Sequence, residues 1–247
     1  MSPEISAIFT VDGLISLLTL SLLEIVLGID NIIFISIIAS RLPDLKDQRK
    51  ARLIGLVLAL IMRIALLFGI TWIIGLKDDL FTIFDMGFSG RDLILMGGGI
   101  FLLAKTVSEI HEKIETADDT EEEKKSYKGS LFSVVISIVL IDIVFSFDSI
   151  LTAVGIVDNV YTMIGAVIVS MVIMMVFSEK VSNFINEHPT IKMLALAFLL
   201  MIGFLLVLEA VDVHVPKPYV YSSMAFAFLV EMLNMRFRKK KAKAKKQ

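Results

Sequence analysis

Seven long apolar runs, separated by shorter polar segments, dominate the pattern of the chain. A helix needs about 20 mostly apolar residues to cross the hydrocarbon core of a bilayer, and each run comes near that length. The third run is the shortest, and it spans the bilayer if flanking charged side chains extend to the headgroups. The pattern predicts an all-α membrane protein with seven transmembrane helices, at Gly13–Ala39, Leu53–Leu76, Leu93–Val107, Leu131–Val157, Val160–Phe177, Ile191–Leu208 and Val220–Phe237.

Composition supports lipid as the solvent for most of the chain. Apolar residues make up 56% of the 247 positions, and a soluble domain of this length would carry a larger polar fraction. The sequence contains no cysteine, which excludes disulfide bonds and thiolate metal ligands. Thiol chemistry is therefore excluded.

Positive charge is concentrated in three segments, which follow helices one, three and seven. The opposite side carries only Lys77, Arg91 and Lys217. Because short cytoplasmic loops collect Lys and Arg, this asymmetry predicts an N-terminus outside and a C-terminus inside. We expect a single transmembrane domain over residues 1–240, followed by a basic cytoplasmic tail at 238–247. The tail is interpreted as a determinant of topology and not as a nucleic-acid site.

Helices one and four contain related acidic motifs. Helix one reads LLEIVLGIDNII and helix four reads LIDIVFSFDSIL, so that Glu24 aligns with Asp142 and Asp30 aligns with Asp148 at a constant offset of 118. The two copies are three helices apart, an odd number, so the second crosses the membrane in the opposite direction. The sequence therefore predicts an inverted repeat, an arrangement found in many transporters.

The predicted halves are residues from about 12 to 109 and from about 130 to 210, each with three helices. An extra C-terminal helix at about 219–237 lies outside the repeat. Packed around a pseudo-twofold axis, the acidic motifs of the two halves would surround one central site.

The motif residues are the candidate site because an acid at the centre of a membrane helix costs roughly 2.5 to 3.5 kcal/mol. Their oxygens suit hard divalent cations such as Mn²⁺, Mg²⁺ or Ca²⁺. Gly28 and Ser146 occupy equivalent positions and suggest either close helix approach or a local helix break. The alternative is structural pairing of the acids with Arg63 and with nearby hydroxyls. The candidate metal ligands are Glu24, Asp30, Asn31, Asp142, Asp148 and Ser149, with Arg63 as a counter-charge.

Four segments carry a resemblance to a known family: EIVLGIDN at Glu24–Asn31, FSGRDLILMGGGIFLLAK at Phe88–Lys105, DIVFSFDSILTAVG at Asp142–Gly155, and VPKPYVYSSMAF at Val215–Phe226. Together they resemble the TerC family of membrane proteins, especially its short bacterial form without CBS or CorC-type cytosolic domains. The family is named for tellurium resistance, and the resemblance implies export of manganese and of other divalent metals. It also implies a metal pathway formed by Glu24, Asp30, Asn31, Asp142 and Asp148.

These observations favour a multi-pass transporter of the bacterial inner membrane that exports a divalent cation, Mn²⁺ above all, by proton-coupled alternating access. The metal is then a transported substrate, no resident cofactor is expected, and the partners are lipid, the cation and protons. The alternative is a non-transporting assembly or accessory protein linked to metal or tellurium stress. An intramembrane enzyme is the least favoured reading, because the sequence has no nucleophile motif, and no particular protein partner is indicated.

Overall fold

The computed structural model describes residues 8–69, 79–83, 86–115, 130–154, 157 and 159–244. Within these residues the chain forms seven helices and one β-hairpin. The helices are α1 Val11–Ala39, α2 Leu45–Phe68, α3 Gly90–Glu115, α4 Leu131–Val154, α5 Val160–Glu187, α6 Pro189–Glu209 and α7 Lys217–Ala244; the strands are β1 Asp79–Ile83 and β2 Met86–Ser89.

Short polar side chains mark where several of the helices begin. The Thr10 hydroxyl accepts a hydrogen bond from the Gly13 amide at the start of α1, and the Asp44 carboxylate accepts from the Lys46 amide at the start of α2. At the start of α3, the Ser89 amide donates to the Asp92 carboxylate while the Asp92 amide donates to the Ser89 hydroxyl. These bonds satisfy amides that have no partner within the helix.

All seven predicted helices have a counterpart in the structure, although several differ in length. The third is longer than its apolar run, since α3 continues to Glu115, and α5 likewise continues to Glu187. Both extensions are polar, so the apolar run marks only the part suited to lipid. The second helix ends at Phe68, and the remainder of its predicted span, 70–76, lies outside the described residues. Helix α7 runs on to Ala244, because Lys, Arg and Ala favour helix.

The β-hairpin between α2 and α3 is not predicted by the sequence pattern. Strands β1 and β2 pair antiparallel, and the rings of Phe81 and Phe88 stack with centroids 5.6 Å apart. The strands are only five and four residues long and have no Asn-Gly or Asp-Gly turn between them, so the usual hairpin signals are weak.

The most extensive helix contacts join elements that are far apart in the sequence. Helix α1 lies chiefly against α5, α2 lies chiefly against α4, and α3 packs along α6. The interior between them is apolar and includes the fully buried Phe34, Ile138, Met171 and Leu196. Helix α7 contacts chiefly α6 and so lies at the edge of the bundle.

Helices α3 and α6 approach each other at backbone distance. A Cβ atom added to Gly99 would lie 2.8 Å from the Gly203 carbonyl oxygen, and one added to Gly203 would lie 3.3 Å from the Gly99 oxygen. Small residues allow this kind of contact between membrane helices, where dispersion forces replace the hydrophobic effect. The pair therefore depends on the glycine at each of the two positions.

Five of the described helices, α1, α2, α3, α5 and α6, are long and apolar enough to cross a membrane. Helix α4 contributes a shorter apolar stretch, Leu131–Phe147. Large apolar side chains such as Leu18, Leu22, Val172 and Val176 are exposed on the outside of the bundle, as expected for surfaces that face lipid. The chain is accordingly an all-α membrane protein.

Candidate functional site

A buried arginine joins the two aligned acids of helices α1 and α4. Arg63 Nη1 donates to Glu24 Oε2 at 2.8 Å, while Nη2 and Nε donate to Asp142 Oδ1 and Oδ2 at 2.8 and 3.1 Å. The three residues are only 2 to 3% exposed. Removing such charges from water is costly unless they are paired and hydrogen-bonded, and this geometry meets both conditions.

The three charges come from three different helices. Glu24 lies within α1, Arg63 within α2 and Asp142 within α4, each more than a helical turn from its helix ends. The Ser146 hydroxyl donates to Asp142 Oδ2 at 3.0 Å from the next turn of α4. With two carboxylates and one guanidinium, the group has a formal charge of −1 when all three are ionised. It is thus a buried centre that attracts a further positive charge.

A small cavity adjoins this centre. Its volume is about 40 Å³, while a water molecule needs about 10 to 15 Å³. Glu24, Asn31, Arg63 and Ser149 line it, together with Tyr221 from α7. Asn31 is 5% exposed, and its Oδ1 atom has no hydrogen-bond partner within the described part of the chain. The apolar part of the lining is formed by Leu27, Phe145, Ile202 and Leu206. A buried carbonyl oxygen without a partner among the described residues, next to such a cavity, is available to a cation or to water.

The structure brings several of the predicted site residues together. Glu24, Asn31 and Ser149 share the cavity, and Asp142 joins the group through Arg63. The backbones of Asp30 and Asp148 belong to α1 and α4, but their side chains lie outside the described residues. Among the side chains that are described, no group of three or more His, Cys, Asp or Glu residues is arranged to hold a metal ion. Arg63 forms ion pairs with Glu24 and Asp142, which is the structural pairing that the sequence analysis gave as the alternative to a metal site.

Gly28 allows a close helix contact and does not break its helix. Helix α1 is continuous from Val11 to Ala39, and a Cβ atom at Gly28 would lie 2.5 Å from Met174 Sδ. Helix α4 is likewise continuous through Ser146. Of the two interpretations of this motif position, the helix break is wrong, and Gly28 packs closely against the Met174 side chain of α5.

Ion pairs at the two ends of the α3–α6 pair are not predicted by the motifs. At one end Arg41 contacts Glu109 at 2.7 Å and Glu112 at 2.5 Å; at the other, Arg91 contacts Glu209 at 2.5 Å. The sequence indicates these ion pairs only by placing opposite charges at helix ends on the same predicted side of the membrane. The acidic motifs identify only the centre of the bundle, and they carry no sign of these outer pairs.

Comparison with known proteins decides the family. The sequence matches the integral membrane protein TerC family over residues 9–246. The chain belongs to the TerC family. It is 49% identical over 218 residues to the UPF0053 inner membrane protein YoaE of Escherichia coli K12. It is 47% identical over 225 residues to a UPF0053 protein of Haemophilus influenzae, and 48% identical over 217 residues to the inner membrane protein YgdQ of E. coli K12.

These TerC relatives differ in length. The matched region covers 88% of this chain but only 42% of YoaE, whereas it covers 94% of the H. influenzae protein and 90% of YgdQ. No solved structure matches the chain. The relatives named as inner membrane proteins, taken with several spanning helices, identify this TerC protein as a multi-pass protein of the bacterial inner membrane.

Proposed function

We propose that this TerC protein is a membrane transporter that exports a divalent cation, with Mn²⁺ as the favoured cargo. The observation that carries the proposal is the buried Asn31 carbonyl oxygen, which has no hydrogen-bond partner among the described residues and lines a cavity beside two carboxylates and one guanidinium. Buried ionisable groups in membrane helices commonly mark ion pathways. A set of carboxylate, amide and hydroxyl oxygens suits Mn²⁺, Mg²⁺ or Ca²⁺ better than zinc or copper.

The centre also supports exchange of the cation for protons. A divalent cation binds ionised carboxylates, and protons compete for the same oxygens. Glu24 and Asp142 already hold one positive group, the Arg63 guanidinium, so they accept a cation when that guanidinium withdraws. Asp30 and Asp148 are the remaining proposed ligands, each next in sequence to a residue that lines the cavity. We propose no resident cofactor and no enzymatic reaction.

Alternating access requires two exchangeable halves, and the packing of the helices supports the inverted repeat. In the proposed repeat α1 corresponds to α4, α2 to α5 and α3 to α6. The contact between α1 and α5 in one half-to-half direction therefore corresponds to the contact between α4 and α2 in the other. Both pairs are extensive, and the α3–α6 pair corresponds to itself. The two aligned acids, Glu24 and Asp142, likewise bind one guanidinium. This agrees with halves that pack about a common axis.

Two glycine contacts lie between the same pairs of helices, although at positions that the offset of 118 does not align. A Cβ atom at Gly55 of α2 would lie 2.6 Å from Ile138 of α4. A Cβ atom at Gly165 of α5 would lie 3.0 Å from Leu17 of α1. In each case a glycine on the second helix of one half contacts an aliphatic side chain on the first helix of the other. We propose seven spans with the N-terminus outside, as the distribution of Lys and Arg predicts.

The second candidate is a membrane assembly or accessory protein that carries no ion. The specific observation in its favour is that Arg63 is hydrogen-bonded to two of the proposed ligands and so links three helices. In that case the acids only stabilise the bundle. The two candidates differ in whether conservative changes at the acids abolish flux in protein that is still folded.

The test is Mn²⁺ flux into proteoliposomes with an imposed pH gradient. The native chain is compared with Asp30→Asn and Asp148→Asn, and Asp47→Asn serves as the control because Asp47 is exposed at the start of α2. We expect gradient-dependent flux in the native and control proteins and at least a tenfold loss in the other two. Absence of Mn²⁺, Mg²⁺ and Ca²⁺ flux in folded native protein would instead support the assembly role.

A further inference from the structure

A second cavity, distant in sequence from the acidic motifs, lies between the start of α2 and the second half of α5. Its volume is about 190 Å³, and it is lined by the arginines Arg49 and Arg52, by Glu179, and by apolar side chains that include Leu53 and Val176. This is the part of α2 that follows the positively charged loop, so it lies at the end of the bundle that we expect to face the cytoplasm.

Arg52 is the most unusual residue of this cavity. It is 5% exposed, its Nη1 donates to the Ser182 hydroxyl at 3.1 Å, and within the described residues its guanidinium forms no ion pair. A guanidinium has five N–H donors in a planar fork that suits carboxylate and phosphate oxygens. A buried guanidinium with one hydroxyl partner therefore has donors left for an anion in the cavity that it lines.

The charges around the cavity define the anion. Arg49 lies 3.7 Å from Glu179, and both side chains are more than half exposed. Two guanidiniums and one carboxylate give a formal charge of +1, which matches one negative charge on the ligand. A phosphodiester carries one negative charge, whereas inorganic phosphate carries more than one near neutral pH. The balance thus favours a phosphodiester.

The apolar side of the cavity indicates where this phosphodiester comes from. Leu53 and Val176 line the cavity and are 40% and 66% exposed on the outer surface of the bundle, where lipid chains pack. Basic pockets between membrane helices on the cytoplasmic side suit anionic lipid headgroups. We propose that the cavity formed by Arg49, Arg52 and Glu179 binds the phosphodiester headgroup of an anionic lipid of the inner leaflet. The proposal does not depend on the transport function.

The test is titration of the purified full-length chain with phosphatidylglycerol and with phosphatidylcholine, with bound lipid counted by native mass spectrometry. Arg49→Gln should weaken phosphatidylglycerol binding about fivefold, the usual contribution of one basic residue near a membrane surface. Glu179→Gln should strengthen it by a similar factor, because the cavity gains a net positive charge. Lys50→Gln is the matched control, since it removes the same charge at the adjacent position, which does not line the cavity.

Three outcomes would overturn the proposal. Equal weakening by Lys50→Gln would mean that lipid responds only to the general charge of this surface. Weakening by both Arg49→Gln and Glu179→Gln would mean that their ion pair acts on the fold. Displacement of the lipid by millimolar inorganic phosphate would assign the cavity to a soluble anion. Retained folding is checked in each variant by size-exclusion chromatography, and Arg49 and Glu179 are exposed enough to be replaced.

Discussion

Arg63→Gln is the substitution that separates the two candidate functions most clearly. It removes the ion pairs to Glu24 and Asp142, whose contacts with the guanidinium measure 2.8, 2.8 and 3.1 Å. Both carboxylates would stay buried without a counter-charge. Removing one partner of a buried ion pair costs about 3 to 5 kcal/mol, so we expect a loss of that size in the free energy of unfolding.

Divalent cations should reverse part of this loss if the centre is a transport site. With the guanidinium absent, Mn²⁺ has both carboxylates and the Asn31 carbonyl oxygen available. A ligand at 100 times its dissociation constant stabilises the folded state by about 2.7 kcal/mol. Arg63→Gln should therefore gain more stability from Mn²⁺ than the native chain, in which Arg63 competes for the same oxygens.

The assay is an unfolding titration of purified protein in mixed detergent micelles, with and without Mn²⁺. Lys50→Gln is the control because Lys50 is 66% exposed on the same helix, and it should change the unfolding free energy by less than about 0.5 kcal/mol. An Arg63→Gln protein as stable as the native chain would refute the ion-pair argument. A destabilised protein with no response to Mn²⁺ would refute the cation site and favour the assembly role.

Three further predictions concern the packing of α3 on α6, the outer ion pairs, and the cavity that Asn31 lines. Gly99→Ala should destabilise the protein by about 1 to 3 kcal/mol in the same titration, because the added methyl group meets a carbonyl oxygen of α6 at 2.8 Å. Gly97→Ala is its control and should be neutral or stabilising, since nothing lies within 4 Å of the new methyl group. Arg41→Gln should cost more stability than Arg91→Gln, because Arg41 contacts two carboxylates and Arg91 contacts one; equal losses would contradict this. Asn31→Leu should keep or raise stability by removing an unpaired buried carbonyl, yet abolish Mn²⁺ flux in proteoliposomes; full flux would exclude Asn31 as a ligand.

The sequence predicts the helices of this protein well because the bilayer imposes a simple length and polarity rule. Every predicted apolar run lies largely on a helix of the structure; among the described residues only Gly69 and Val157, towards the ends of two runs, fall outside a helix. The rule reports only the segment suited to lipid, so it misses the polar continuations of α3 to Glu115 and of α5 to Glu187. Boundaries of that kind depend on helix propensity and on packing beyond the membrane.

The sequence predicts that Glu24, Asn31 and Ser149 lie close together, with Arg63 as a counter-charge, but it does not predict the geometry of the ion pairs. The repeated acidic motif identifies Glu24 and Asp142, because a repeat aligns positions that meet near an axis. It does not show that one guanidinium bonds to both, since Arg63 lies on a helix with no recognisable counterpart motif. Arg52 shows the same limit, because its burial and its single hydroxyl partner follow from how α2 packs on α5.

The position of Arg63 connects the structural and the transport interpretations. A buried pair of ionised carboxylates needs a compensating positive charge, because uncompensated charges in this environment would be strongly destabilising. In the structure that charge comes from α2, while the carboxylates belong to α1 and α4. Under the proposed function, a bound divalent cation makes the guanidinium unnecessary, so that α2 is free to move relative to α1 and α4. When the cation leaves, the carboxylates are neutralised by protons or by the return of Arg63. One charge requirement would thus couple the occupancy of the site to the relative position of the helices, which is the coupling that alternating access needs.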